Sequence, residues 1–201
     1  MRRSWLLVLL LAACTGNVVG SDESLPDATT AATDAALDTG PTIDPAVARG
    51  ALWVAAKVPY CQAINHAHDA DTACASTCTR PDNADWDPYR SDCSGFVSWA
   101  WGLSSTGGGR TTSNFAPFQT DISHAIAGAD LLPGDAVNNS EHMMLFEAWV
   151  TEGSEATFME EPGCSSATPY AHEFTAKVTL SGNTVVVQYH GTFTAIRHDL
   201  P

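Results

Sequence analysis

Ser91-Asp92-Cys93-Ser94-Gly95-Phe96-Val97-Ser98-Trp99-Ala100-Trp101 is the stretch on which the fold turns. Beyond Cys93 it is apolar on most sides, so as a helix it is a buried one. Asp92 or Ser91 can cap its start, and Gly102 can stop it. Cys93 then lies in the first helical turn. Unpaired backbone N–H groups and the positive end of the dipole favour a thiolate there.

Downstream, Ser104 to Ser113 holds three consecutive glycines and cannot be regular structure, while Asn114 to Ile126 reads as a weak helix. After the turn Leu131-Leu132-Pro133-Gly134-Asp135 the character switches to strands. Alternation from His142 to Val150 puts His142, Met144, Phe146, Ala148 and Val150 on one face. Met143, Leu145, Glu147 and Trp149 fall on the other. Ala156 to Glu161 reads as a second strand. Phe174–Leu180 and Thr184–His190 form a hairpin around Ser181-Gly182-Asn183, and Phe193–His198 is the last strand. Upstream, Asp44-Pro45 opens an amphipathic helix that ends before Pro59, followed by a Cys- and Asp-rich loop to Arg90. Helices first and an antiparallel meander second predict an α+β fold in one domain, residues 44–201.

The 201-residue chain starts with a different grammar. Met1-Arg2-Arg3, an apolar run from Trp5 to Ala13, and Cys14 are the parts of a secretory signal, too short to span a bilayer. Leu11-Ala12-Ala13-Cys14 is similar to a bacterial lipobox, which implies a signal peptide over residues 1–13 and a diacylated Cys14. Export to the cell envelope follows, with the outer membrane or periplasm favoured. Residues 14–43 carry acids and no base, and read as an acidic flexible tether. The formal charge is −14. A chain this acidic has no basic stripe for nucleic acid, and only its lipid would hold it to a membrane.

Six cysteines are present. With Cys14 lipidated and Cys93 kept as a free nucleophile, Cys61, Cys74, Cys78 and Cys164 remain as disulfide candidates in an oxidising compartment. A zinc site drawn from Cys61, His66, His68, Asp69, Asp71, Cys74 and Cys78 is the competing assignment. Export and the Cys-x-x-x-Cys spacing weigh against it, so no metal and no cofactor are expected. A thiolate nucleophile needs an imidazole partner and a third group to orient that imidazole. Among seven histidines His142 is best placed, at the head of an apolar strand after the Pro-Gly-Asp turn.

Asp92-Cys93-Ser94-Gly95-Phe96-Val97, Leu132-Pro133-Gly134-Asp135 and Glu141-His142-Met143-Met144-Leu145-Phe146 together resemble the ordered motifs of the NlpC-type cell-wall cysteine peptidases. Val58-Pro59-Tyr60 and Arg110-Thr111 resemble two further segments of that family. The chain departs from it after Tyr60, where a Cys-containing loop replaces Trp-Gly-Gly, and at Met144. The resemblance implies a papain-like fold in which the Cys-bearing helix packs on an antiparallel sheet carrying the His. It also implies a Cys93–His142–Glu160 triad, with Glu160 preferred over Glu161 because it shares the face of Phe158, as in the related CHAP amidases. Tyr60 and the Cys93 N–H would serve the oxyanion, and Asp92 and Ser94 would hold the amine of a peptide stem. Asp92 and Ser94 as mere caps, and His142 as a strand histidine, stay open beside these roles. The activity implied is cleavage of amide bonds in peptidoglycan stem peptides through a thioester, by a monomer. A CHAP-like N-acetylmuramoyl-L-alanine amidase and a catalytically weak cell-wall or envelope-binding domain are the alternatives.

Overall fold

The computed structural model describes residues 43–67, 72–73, 76–77 and 79–199, with the side chains of 72, 73, 76 and 77 excepted. The expected signal peptide, Cys14, the tether, His68, Cys74 and Cys78 lie outside the described residues. Helix α1 spans Pro45–Ala56. Asp44 caps it, its Oδ1 accepting the Ala46 N–H at 2.7 Å. Lys57, at φ 48°, closes it in the left-handed region. A two-residue ladder, β1 (Thr72–Ala73) with β2 (Ser76–Thr77), interrupts the loop that follows. Helix α2 runs Cys93–Ala100 under an Asp92 cap, the Gly95 N–H donating to Asp92 Oδ1 at 2.7 Å.

The remaining elements are strands: β3 (Ser123–Ala125), β4 (Ala136–Asn138), β5 (Met143–Thr151), β6 (Glu155–Glu160), β7 (His172–Ser181), β8 (Thr184–Val187) and β9 (Gly191–His198). Each sheet neighbour is antiparallel, in the order β9-β4-β5-β6-β7-β8, and β8 pairs back onto β9. The sheet therefore closes on itself as a six-stranded barrel. The first half of β9 pairs with β8, and its last residues pair with β3. This corrects the expected α+β, papain-like arrangement of helices on an open sheet. The fold is a closed antiparallel barrel with two short helices outside it. Pairing of the last strand with β4, far upstream in the sequence, is a non-local event, and no local periodicity announces it.

A barrel of six strands has room inside only for side chains. Met144, Phe146, Phe158, Val178, Val185, Val187 and Phe193 fill it, all buried. The other face of β5 and β6, with Met143, Leu145 and Met159, meets the helices through Trp53, Phe96, Val97 and Ala100. Two buried faces explain the unbroken apolar run Met143–Phe146, where a half-exposed strand would alternate. Gly50 permits the close approach of α1: a Cβ there would lie 3.0 Å from Leu145 Cδ2 and 3.1 Å from Met159 Sδ.

Two local expectations also change. Residues 114–126 run from the end of a 3-10 turn (Thr112–Asn114) through irregular turns to β3, not a weak helix, because Pro117 lacks an N–H and no apolar stripe repeats at helical spacing. A bulge between Phe146 and Ala148 shifts the register of β5 on β6. It moves Trp149 onto the Phe146 side, with ring centroids 5.0 Å apart.

Arg80 fixes the long loop before α2 from inside. It is 3 % exposed. Its Nη2 donates to the carbonyls of Trp86, Asp87 and Tyr89, and its Nη1 to Ser91 Oγ at 3.2 Å. Ser91 Oγ in turn donates to the Pro59 carbonyl at 2.7 Å. The guanidinium thus ties the loop backbone to the residue before the α2 cap.

Candidate functional site at the barrel mouth

Strand β6 alternates Ala156, Phe158 and Glu160 toward the barrel interior, so its last residue presents a carboxylate at one mouth. The β6–β7 register sets His172 directly across from Glu160. His142 enters from the turn before β5, its backbone N–H donating to Asn139 Oδ1 at 2.8 Å. His190 follows β8, and its ring stacks on Phe174 at 4.1 Å. Three imidazoles therefore converge on one carboxylate. His142 Nε2 lies 2.6 Å from Glu160 Oε2, His172 Nε2 3.4 Å from Oε1, and His190 Nδ1 3.8 Å from Oε2. The Glu160 side chain is 4 % exposed, whereas those of His142 and His172 are each 22 % exposed.

Charge at this mouth is set by competition between burial and pairing. Burial favours the protonated form of Glu160, but the His142 hydrogen bond and the charges of the three imidazoles outweigh it and hold the carboxyl below its ordinary range. For His142 burial disfavours the cation. Interactions with the Cys93 thiol and the Glu160 carboxylate more than offset this and raise it from 6.5 to about 9. His190 is pushed the other way, chiefly by burial. At neutral pH the pair is thus an imidazolium on a carboxylate.

Cys93 opens α2 on the helix side of β5 and β6, half-buried, and is the free cysteine among the described residues. Cys61 and Cys164 are each disulfide-bonded. Burial raises the Tyr60 hydroxyl, with the charges of Asp92, Cys93 and Glu161 adding to it; Gln62 Nε2 donates to the hydroxyl at 3.0 Å. Both Asp92 oxygens are engaged within the fold. Oδ1 accepts from the Gly95 N–H and, at 3.1 Å, from Ser94 Oγ; Oδ2 accepts from Arg90 Nε at 2.9 Å. Ser94 is itself buried.

Glu161 faces the helices, one residue and one strand face away from Glu160. It is fully buried, and among the described residues neither of its carboxyl oxygens has a hydrogen-bond partner. Burial pushes it up to about 10, against the Arg80 guanidinium and with the help of Asp92, Cys93 and Glu160. It is a neutral acid beside the thiol.

Of the residues expected from sequence, Cys93, His142, Glu160, Tyr60, Asp92 and Ser94 gather here. His172 and His190 are what sequence reasoning missed. His172 heads the inward face of β7, in period with Phe174, Ala176 and Val178, and that alternation is the one signal that could have found it. Among the described residues no group of three or more His, Cys, Asp or Glu side chains is arranged to hold a metal ion. His66 pairs instead with Asp82, His124 with Asp199, and His198 stacks on Trp101 at 5.0 Å.

The hydrolase expectation needs correction at the level of geometry. His142 makes one aligned ring hydrogen bond, to Glu160. The thiol is close enough to act on the imidazole's charge, yet no aligned hydrogen bond links the ring to the sulfur, so the chain of bonds of a Cys–His–Glu triad is incomplete. No protein-family model matches this chain, and no curated protein or solved structure matches it. The likeness to NlpC-type peptidases thus rests on short motifs alone, and the closed barrel conflicts with the papain-like scaffold those motifs imply. Membership of that family is withdrawn. With it go the cysteine peptidase or amidase assignment and the peptidoglycan substrate that the motifs implied.

Proposed function

We propose that the barrel mouth is an acid–base site serving a thiol, in which the His142–Glu160 pair governs the reactivity of Cys93. The observation that carries this is the 2.6 Å contact of His142 Nε2 with Glu160 Oε2, beside a free cysteine in the first turn of a buried helix. A buried carboxylate that keeps an imidazole charged gives the neighbouring sulfur a cationic partner, and thiolate is the nucleophilic form of cysteine. The partly exposed His142 and Cys93 are reachable from solvent, while Glu160 is nearly closed off, so the carboxylate acts through the ring.

Alkylation with iodoacetamide tests this on the intact chain. The sulfur–carbon bond forms as iodide leaves, and the thiol proton passes to the site or to solvent. Labelling of Cys93, followed by mass spectrometry, is expected to slow by roughly tenfold or more at neutral pH in His142→Gln and in Glu160→Gln. Equal rates in all three proteins would remove the acid–base role. Lipid attachment at Cys14, with export and a tether over residues 14–43, forms part of the same proposal and rests on Leu11-Ala12-Ala13-Cys14. A diacylated Cys14 in the membrane fraction of an expressing bacterium supports it, and an unmodified or uncleaved N-terminus refutes it.

A further inference from the structure

A cavity of about 410 Å³ lies at the other end of β4 from Asn139, the residue that receives the His142 N–H. The start of α1, the end of α2 and the end of β9 meet there, through Arg49, Trp101 and His198. Trp101 Nε1 donates to the Gly134 carbonyl at 2.7 Å and fixes the indole on which His198 stacks. All but one of the charges around the cavity are matched within the fold. Asp135 accepts from Arg197 Nε at 2.8 Å, from Nη2 at 2.7 Å and from the Leu132 N–H at 2.8 Å. Asp44 Oδ1 accepts the Ala46 and Val47 N–H groups at the start of α1. Burial lowers the His198 ring, Asp199 opposes this and the Arg49 charge adds to it, which works against a second cation there.

Arg49 is the exception. In a chain of formal charge −14, Arg90, Arg110 and Arg197 each hold a carboxylate, at 2.9, 2.8 and 2.7 Å. Among the described residues no carboxylate stands within ion-pair distance of Arg49, whose side chain makes one hydrogen bond, Nε to the Ala100 carbonyl at 2.6 Å. That bond holds the guanidinium against Gly102, where a Cβ would lie 3.4 Å from Nη2 and 3.5 Å from Cζ. Both Nη groups keep their donors, and together they form the planar fork that matches a carboxylate.

We propose that this cavity binds a small monocarboxylate, its two oxygens on the Arg49 Nη groups and its apolar body against Pro45, Leu132 and Pro133. A guanidinium already fixed by the fold loses little freedom when it closes on two oxygens. Pro45, Leu132 and Pro133 are exposed apolar residues of the same wall, and covering them adds to binding. The volume exceeds what a bare carboxylate fills and falls among those of small-molecule sites. One unmatched cation suits one negative charge. Asp44 and Asp135 line the same cavity and repel a second, which disfavours a phosphate dianion. The cavity stands apart from the thiol, since Cys93, His142 and Glu160 do not line it, and its ligand is independent of the acid–base role given to the His142–Glu160 pair.

Addition of sodium benzoate to the full chain, followed by NMR at the Trp101 indole and Gly102 amide, tests this without any thiol chemistry. Saturable shifts at both signals are expected; shifts that stay linear in benzoate overturn the proposal. Benzamide has the same shape without the charge and is expected to bind about tenfold more weakly or worse. Equal binding of the two overturns the assignment to a carboxylate. Inorganic phosphate separates the two kinds of oxyanion: it is expected to bind more weakly than benzoate, and tighter binding refutes the monocarboxylate. In Arg49→Gln, with folding checked by the amide spectrum, benzoate affinity is expected to fall by about tenfold or more. An unchanged affinity in the folded variant removes the Arg49 fork. Should that variant not fold, the comparison of benzoate with benzamide on the wild-type chain still decides.

Discussion

Replacing Glu161 by Gln should stabilise this protein, and by an amount that grows with pH. The carboxyl is fully buried, neither oxygen has a hydrogen-bond partner among the described residues, and burial raises it to about 10 from an ordinary 4.5. A group whose folded value lies above its unfolded one favours the folded state at low pH and loses that advantage as pH rises. In the unfolded chain Glu161 ionises above 4.5, and that ionisation pulls the equilibrium toward unfolding. Each pH unit between the two values costs about 1.4 kcal/mol. The pull is therefore below about 1 kcal/mol near pH 5, about 3 kcal/mol at pH 7 and about 5 kcal/mol near pH 8.5. Gln is close to isosteric with the neutral acid and does not titrate, so Glu161→Gln removes the pull. Denaturant unfolding of both proteins at those three pH values, with disulfides intact, measures the difference. A gain that rises with pH is expected. A pH-independent difference, or a variant less stable than wild type at pH 7, would mean that Glu161 is ionised in the fold and held by Arg80.

His142 gives a second, opposite-charge contribution. Its folded value of about 9 lies above 6.5, so its stabilisation is complete below pH 6.5 and disappears as pH rises through about 9. Glu160→Gln should remove up to about 3 kcal/mol of stability at pH 6, and progressively less above pH 9, as read by denaturant titration. Gly95→Ala should destabilise by about 1–3 kcal/mol or more, because a Cβ there would sit 1.9 Å from the Arg90 carbonyl oxygen; thermal unfolding checks it. Phe158→Ala, which empties the barrel centre between Phe146 and Phe174, should cost about 3–5 kcal/mol by the same measurement.

Much of the local structure is legible along the chain. Asp44-Pro45 and Asp92 mark the two helix starts because a short acidic side chain can accept the first free N–H groups. Gly182-Asn183 marks the tightest hairpin, with Ser181 opposite Thr184. Barrel closure is not legible, because β3 and β4 have three residues each, too few to show a period. Two of the partners of β9, β3 and β4, are also far away in sequence. At the site, alternation along β6 is enough to separate Glu160 from Glu161, sending one to the barrel mouth and the other to the helix layer. What His172 and His190 do cannot be read from spacing, since the carboxylate they share belongs to another strand. The short motifs around Cys93 and His142 describe local chemistry that more than one scaffold can present, and here the scaffold is a closed barrel.

A charged His142 bound to Glu160 is the centre of the barrel-mouth site. Titration of the His142 ring by NMR, in the intact chain, tests that directly. The ring should remain an imidazolium through neutral pH and lose its proton at about 9, and Glu160→Gln should bring that midpoint down. A wild-type midpoint at or below 6.5 would contradict the account.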